Sequence, residues 1–442
     1  MPNLLKINKK IKPFKKQIIV DGDKSLSIRW ALMASQANGK SKAYKLLKSE
    51  DVLNTLKCLS KLGVKVKIKN KHCEITGKGP DGFVYKKGLT LNAGNSGTLG
   101  RLILGLLVHS KKKVKLIGDK SLSKRDFSRI TIPLHKFGAN ITSNSNKRLP
   151  ITIIGSDNIK PINYFESRGS AQCKSSVMLA ALNTNGKTYI KAKKSRNHSE
   201  LLFKYLKIKM KITNNKKFDF IEIEGKQKIK PFNYIIPGDI SSSAFFIVLT
   251  TLTKNSELLI KNVNINPSRI GVIKILKKMK AKISFKSKRV YRGEKIADIL
   301  VKSSINLKAI NCPAKLNSSA IDEFLIIFLA ASKAKGISYF KDLSELNQKE
   351  SPRLKWGSKI LNKMGIKTEL TKDSIKIYGK PNLEVTKQVV IKDYLKDHRV
   401  FMMSTIAALT CGGQWDIHDK DSINTSFPSF LEILKKINNK PL

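Results

Sequence analysis

The chain has 442 residues, room for two or three domains, because single cores stop growing at roughly 250–300 residues. Lysine and arginine outnumber aspartate and glutamate by 86 to 32, a formal net charge of +54, which points to nucleic acid, an anionic membrane surface or small anionic substrates as partners. Five scattered cysteines without a C-x-x-C pair exclude a disulfide framework or a zinc site and fit a reducing compartment.

The N-terminal stretch MPNLLKINKKIKPFKK is basic but has no apolar signal core, so a cytoplasmic chain without a leader is expected. The phrase GDKSLS then appears at Gly22–Ser27, recurs letter for letter at Gly118–Ser123, and returns as GDISSS at Gly238–Ser243. Each copy reads as the start of a helix, since Asp and Ser are favoured N-caps. That alone is ordinary capping. In the first copy, however, Lys24, Ser25 and Arg29 follow the cap, and in the second Arg125 stands at a comparable offset. Free amides at a helix start, with a lysine and an arginine one turn on, make a receptor for phosphate or carboxylate. The stretch NAGNSGTLGRL, Asn92–Leu102, repeats the idea with Gly94, Gly97 and Thr98 ahead of a helix predicted over 96–110.

A second phrase alternates with the first: an amphipathic helical ending, a glycine or similar residue, then an alternating strand. It reads CLSKLGVKVKI at Cys58–Ile68, PLHKFGANIT at Pro133–Thr142, LFKYLKIKMKI at Leu202–Ile212, ILKKMKAKISF at Ile275–Phe285 and ILNKMGIKTEL at Ile360–Leu370. ILKKINN at Ile433–Asn439 closes the series. Six endings at spacings of about 70 to 85 residues imply six copies of one αβ unit, three per domain. The segment around the third Gly-Asp phrase is the expected main crossing between domains. The apolar runs Ala244–Leu252 and Phe324–Ala331 are well short of the ~20 residues that span a bilayer, so no membrane partner is expected.

Taken in order, GDKSLSIR, NAGNSGTLGRL, GDKSLSKRDFSRITIPLHKFGA, SAQCKSSVMLAAL, SRNHSE, PGDISSSAFF, DEF, KESPRL, DHRVFMM and TSFP make a chain that resembles the 5-enolpyruvylshikimate-3-phosphate (EPSP) synthase family from Gly22 to Phe430. The resemblance implies an α/β (α+β) fold of two inverse α/β-barrel-like domains, each of three repeated βαβαββ units, the enolpyruvyl transferase fold. Residues 1–22 and 237–442 would form a discontinuous domain with the catalytic carboxylates, and residues 23–236 a domain with most shikimate 3-phosphate contacts. The active site would lie in the cleft between them.

The implied reaction moves the enolpyruvyl group of phosphoenolpyruvate (PEP) to the 5-hydroxyl of shikimate 3-phosphate, with no metal or organic cofactor. The small-molecule substrates are the expected partners, with no specific nucleic acid, and a monomer is expected. By resemblance Asp322 is the base for the hydroxyl, Glu350 handles the methylene proton, and Lys24 touches both substrates and the leaving phosphate. Ser25, Arg29, Ser170, Ala171, Gln172, Arg196, Asp322 and Lys349 match the shikimate 3-phosphate contacts. Asn95, Gly97, Arg125, Gln172, Arg353 and Arg399 match the PEP contacts, where guanidinium forks suit carboxylate and phosphate.

The chain departs from the family pattern at Ile28, Trp30, Asn347, Pro352 and Thr425; Pro352 can cap or kink the helix after it. An enolpyruvyl transferase acting on UDP-N-acetylglucosamine relies on a reactive cysteine, and the region around Ser121–Arg129 has none, while Cys173 is expected to pack as a small apolar residue. A nucleic-acid binder is disfavoured by 7% aromatics and the absence of an RNA-recognition signature; the charge also fits a drift toward AT-rich codons. An inactive relative would not be expected to keep Lys24, Asp322, Glu350 and Arg399.

Overall fold

The computed structural model describes residues 3–70, 72–144, 147–304 and 306–439. The chain divides into two compact units. A terminal unit comprises residues 1–21, 237–291 and 295–442, and a middle unit comprises residues 22–236 and 292–294.

Within the middle unit, the described residues form three four-stranded sheets with one shared plan. A short strand pairs in parallel with a second, which pairs antiparallel with a third, which pairs antiparallel with the fourth. Asn163–Glu166, Lys187–Lys193, Phe218–Glu224 and Met210–Asn214 follow it in that order, as do Leu89–Asn92, Val114–Ile117, Arg148–Ile154 and Asn140–Asn144. In the terminal unit Lys15–Ile19 lies parallel to Glu257–Asn264, which pairs antiparallel with Glu294–Lys302. There Gln388–Ile391 lies parallel to Gln414–His418, which pairs antiparallel with Leu4–Ile7.

All six predicted helix endings exist, and in each the chain turns through a residue of positive φ, between +56° and +110°. Three are Gly63, Gly138 and Gly365; the others are Lys207, Lys280 and Asn439. At Leu59, Phe203, Leu276 and Leu361 the helix carbonyl accepts the amide five residues on, at 2.9–3.1 Å, the bond that closes a Schellman turn. The left-handed step reverses the chain in about one residue, and after the first five endings a strand starts within three residues, at Lys65, Asn140, Met210, Lys282 and Thr368.

The helices are of two kinds. Glu50–Lys61, Gly271–Lys278 and Phe430–Asn438 bury one face only. Ile240–Leu252, Phe324–Ser332 and His398–Cys411 are buried on nearly every side, which is why the first two read as near-continuous apolar runs. They sit in the core of the terminal unit with the phenylalanine cluster Phe245, Phe246, Phe427 and Phe430. Among the described residues no helix is long and apolar enough to cross a membrane.

One expected start is corrected. The second GDKSLS does not open an α-helix: Asp119 accepts the Leu122 amide at 2.7 Å, but only a single 3-10 turn, Leu122–Lys124, follows. Arg125 is extended, and Asp126 restarts the chain by accepting the Ser128 amide at 2.7 Å, so the helix runs Ser128–Lys136.

Candidate active site

In the middle unit the sequence-predicted residues cluster at helix starts. Asp23 accepts the Leu26 amide at 2.9 Å and opens helix Lys24–Ser35. Lys24 reaches Asp51 at 2.9 Å, at the start of helix Glu50–Lys61. Arg29, one turn inside and buried, donates through Nε to Ser199 Oγ at 2.9 Å, through Nη2 to Ser175 Oγ at 3.1 Å and through Nη1 to the Ser25 carbonyl at 3.2 Å. Trp30 is buried in the same helix.

Ser96 caps helix Gly97–Leu106 by accepting the Leu99 amide at 3.2 Å. A Cβ built on Gly97 would stand 2.7 Å from Arg101 Nη1 and 2.9 Å from Arg125 Nη1. Glycine there lets two guanidiniums crowd over the start of the helix. Arg101 is oriented by Gln172 Oε1 at 2.7 Å and lies over the Phe127 ring, while Gln172 Nε2 donates to Thr98 Oγ1 at 3.0 Å. Arg125 donates to Asn95 Oδ1 at 3.0 Å, and Asn95 donates to Asp119 at 2.7 Å.

Ser170 caps helix Ala171–Asn183, accepting the Cys173 amide at 3.3 Å. The loop ahead of it is gathered by Glu166, whose carboxylate accepts the amides of Arg168, Gly169 and Ser170 at 3.2, 2.6 and 2.9 Å. Burial raises the Glu166 pKa even against those three amides. Cys173 is buried and burial also raises its thiol pKa, as expected for a packed rather than a reactive cysteine. Arg196 lies in the loop before helix His198–Tyr205.

The terminal unit holds the carboxylates. Asp322 precedes helix Phe324–Ser332 and accepts from Lys349 Nζ at 3.1 Å. Pro352 occupies the N-cap position of helix Arg353–Lys363, where its carbonyl accepts the Trp356 amide at 3.0 Å, and being ahead of the first turn it does not kink the helix. Arg353 is thereby placed at the first helical position, buried among three carboxylates. Its Nε and Nη2 donate to the two oxygens of Asp397 at 2.9 and 3.2 Å, Nη2 also pairs with Glu350, and Nη1 lies 3.6 Å from Asp322. Burial disfavours the charge on Asp397, but the adjacent Arg353 outweighs it, and the Asp397 pKa ends below the ordinary range. The Arg353 pKa is raised by the reciprocal attraction, against the opposing effect of burial.

Asp397 also accepts the Ser351 hydroxyl at 2.8 Å and the Arg399 amide at 3.0 Å, the latter capping helix His398–Cys411. Arg399 Nη1 lies 3.9 Å from Glu323, which binds the Ser241 hydroxyl. Arg269 donates to Ser241 Oγ at 2.8 Å and to Asp239 at 3.2 Å, joining the third Gly-Asp phrase to the same network. Asn347 donates to the Lys372 carbonyl at 3.2 Å, and Thr425 ends a 3-10 segment, Lys420–Thr425.

Thus Asp322, Lys349, Glu350, Arg353 and Arg399 belong to one network, and Lys24, Ser25, Arg29, Asn95, Gly97, Arg125, Ser170, Ala171 and Gln172 to a set of adjoining helix starts. Sequence reasoning did not single out Arg101, Glu166, Ser175, Ser199, Glu323 or Asp397. All of these except Glu166 stood inside the motifs quoted above, but folding alone links each of them to its partner.

The family model described as EPSP synthase (3-phosphoshikimate 1-carboxyvinyltransferase) matches residues 8–434. The chain belongs to the EPSP synthase family. Enolpyruvyl transfer in the shikimate pathway is accordingly its reaction. A 3-phosphoshikimate 1-carboxyvinyltransferase of Ruthia magnifica subsp. Calyptogena magnifica is 42% identical over 424 residues, covering 95% of this chain and 94% of that one. One from Petrotoga mobilis is 38% identical over 427 residues, with 95% and 96% covered. The solved EPSP synthase of Acinetobacter baumannii superposes with a TM-score of 0.85 at 35% identity, covering 98% of each chain. The enolpyruvyl transferase NikO of Streptomyces tendae, at 12% identity and a TM-score of 0.77, is similar in fold alone.

Proposed function

We propose that the family reaction is carried here by Asp322 and Glu350 acting on PEP and shikimate 3-phosphate bound by the cations named above. The observation that carries this reading is the network in which one buried guanidinium, Arg353, holds Asp322, Glu350 and Asp397 together. Asp322 takes the proton of the 5-hydroxyl as its oxygen bonds to C2 of PEP, and Glu350 gives a proton to the methylene, C3. The tetrahedral adduct then collapses: Glu350 takes a proton back from the new methyl group, the C2–O bond to phosphate breaks, and phosphate departs with the electron pair. Such positioned proton transfers contribute typically 10²–10⁴-fold each.

Lys24, at a helix start, serves the leaving phosphate and both substrates. Ser25, Arg29, Ser170, Ala171, Gln172, Arg196 and Lys349 bind shikimate 3-phosphate; Asn95, Gly97, Arg125, Gln172, Arg353 and Arg399 bind PEP. Preorganised donors aimed at developing charge supply the largest electrostatic share of catalysis. Five free, buried cysteines fit a cytoplasmic enzyme.

The test is phosphate release from PEP with and without shikimate 3-phosphate, on the wild type and on Asp322→Ala and Glu350→Ala. Each variant is expected to lose about 10²–10⁴-fold in kcat while keeping its fold by circular dichroism. Release that runs equally well without shikimate 3-phosphate, or with UDP-N-acetylglucosamine in its place, would overturn the substrate assignment. Variants within a few-fold of wild type would overturn the roles.

A further inference from the structure

The four-stranded sheet of the middle unit that ends in Met210–Asn214 carries an open face that the enolpyruvyl reaction does not use. Its strands alternate, so every second residue points outward. Registers place Phe165 beside Lys191 and Lys191 beside Phe220, one row across three neighbouring strands. In the next row Tyr189 lies between Asn163 and Glu222, and Glu222 beside Lys211. Phe165 is 53% exposed, Tyr189 47% and Phe220 39%. The hollow over them, about 470 Å³, is also lined by Lys211 and Thr213.

The lysine in the middle of that row is held by the rings. Lys191 Nζ lies 4.9 Å from the Phe218 centroid, 5.2 Å from Phe165 and 6.0 Å from Phe220, cation–π distances that fix an ammonium without neutralising it. The acids of this face are engaged: Glu222 with Lys187 at 2.8 Å and Glu224 with Lys209 at 3.1 Å. Strands stand about 4.8 Å apart, so Phe165 and Phe220 flank Lys191 at about 10 Å from each other. Exposed rings set around fixed positive charge suit a ligand with both flat apolar faces and regularly spaced anions.

We propose that this face binds single-stranded nucleic acid, with bases stacked on Phe165, Tyr189 and Phe220 and phosphates on Lys191 and Lys211. A four-stranded sheet with rings on its open face is a known way of stacking unpaired bases, and duplex bases, hidden in their own stack, cannot use it. The net charge of +54 decides between occupants: it draws in a polyanion and repels a second copy of the same chain. The 7% aromatic content concealed this arrangement, because the rings lie on three strands spread over 56 residues, Phe165 to Phe220.

The experiment is fluorescence anisotropy of labelled oligothymidylate, and of a duplex of equal length, with the full chain at physiological salt. Wild type is expected to favour the single strand. Tyr189→Ala/Phe220→Ala should weaken single-strand binding by about 5- to 150-fold per ring lost and leave duplex binding and enolpyruvyl transfer unchanged. Lys191→Gln, which keeps the rings, should flatten the salt slope of binding. Equal affinity for strand and duplex, or ring variants that bind like wild type, would overturn the proposal in favour of unspecific charge attraction. Self-association of wild type in sedimentation, abolished by the ring variants, would overturn it in favour of a second copy.

Discussion

The two units use the same repeat and the same capping phrase, yet spend their cations differently. In the terminal unit Arg353 is locked between carboxylates, so its charge holds the unit together. In the middle unit the contacts of Arg29, Arg101 and Arg125 include hydroxyl, amide and carbonyl oxygens, those of Ser175, Ser199, Gln172, Asn95 and the Ser25 carbonyl, while Lys24 pairs with Asp51. A neutral partner aims a guanidinium without cancelling its field. The lesson is that an arginine in a family motif can hold the fold as well as meet a ligand, and its partners show how far it is committed to the fold.

The sharpest way to break this contrast is Arg353→Met. Asp397 is wholly buried, and an uncompensated buried carboxylate costs about 3–5 kcal/mol. A large drop in the urea midpoint is expected, with part of it recovered in Arg353→Met/Asp397→Asn, where the stranded charge is gone. If the double variant is no more stable than the single one, Arg353 is not the counter-ion the terminal unit depends on. Because the Asp397 pKa is lowered, the pair's contribution is complete above the unfolded value of about 4 and is lost only as pH falls through the lower folded one.

Arg29→Ala in the middle unit should do the opposite. Ser175 and Ser199 hydrogen-bond each other at 2.7 Å and so keep a partner, leaving a stability loss of about 1 kcal/mol. The KM for shikimate 3-phosphate should rise about 10- to 150-fold, as for a lost charged hydrogen bond of about 1.5–3 kcal/mol. A variant that is badly destabilised but binds substrate normally would reverse the assignment.

Acid should also separate the units. Burial, with the nearby Lys226 charge, depresses the pKa of His109 in the middle unit from 6.5 to about 4. The unfolded chain therefore takes up a proton near pH 6.5 that the folded chain refuses until about pH 4. Stability from this group is full above pH 6.5 and declines as pH drops from there toward 4. With partial exposure of the ring taken into account, the decline is about 1–2 kcal/mol. Glu166 and Asp219, whose pKa values are raised, act with the opposite sign, so the informative quantity is the difference between wild type and His109→Gln over that window. The two stability profiles should converge toward pH 4; parallel profiles would remove His109 as the cause.

Much of this was readable beforehand for a physical reason. Helix endings and N-caps are local: Gly365 or Asp239 does its work within a few residues, so the chain displays it. The long apolar helices announced their burial in the same way. What the sequence hid is non-local. Glu323 meets Ser241 across 82 residues and Arg29 meets Ser199 across 170; no spacing rule connects them. Arg353 showed as an arginine in a motif, and only its buried seat between Asp397 and Glu350 reveals how far it is committed. Even a local reading failed at Gly118–Ser123, where the phrase is identical to the first copy but Asp126 competes for the next helix start two residues before Ser128.

The smallest expected effect tests the repeat itself. Gly365 and Lys280 occupy the same left-handed position after equivalent helices of the terminal unit, at φ +82° and +72°. A Cβ on Gly365 would meet nothing within 4 Å, so Gly365→Ala adds backbone strain, offset in part by a stiffer unfolded chain, and should cost a few tenths of a kcal/mol up to about 1. Lys280→Gly relieves the strain that a side chain suffers there, yet it also loosens the unfolded chain, which offsets part of the gain. The same two effects act with opposite sign in Gly365→Ala, so Lys280→Gly should stabilise by about as much as Gly365→Ala destabilises, a few tenths of a kcal/mol up to about 1. Should Lys280→Gly instead destabilise the protein, the lysine must be contributing contacts that outweigh its strain, and the two turns would be equivalent in geometry but not in energy.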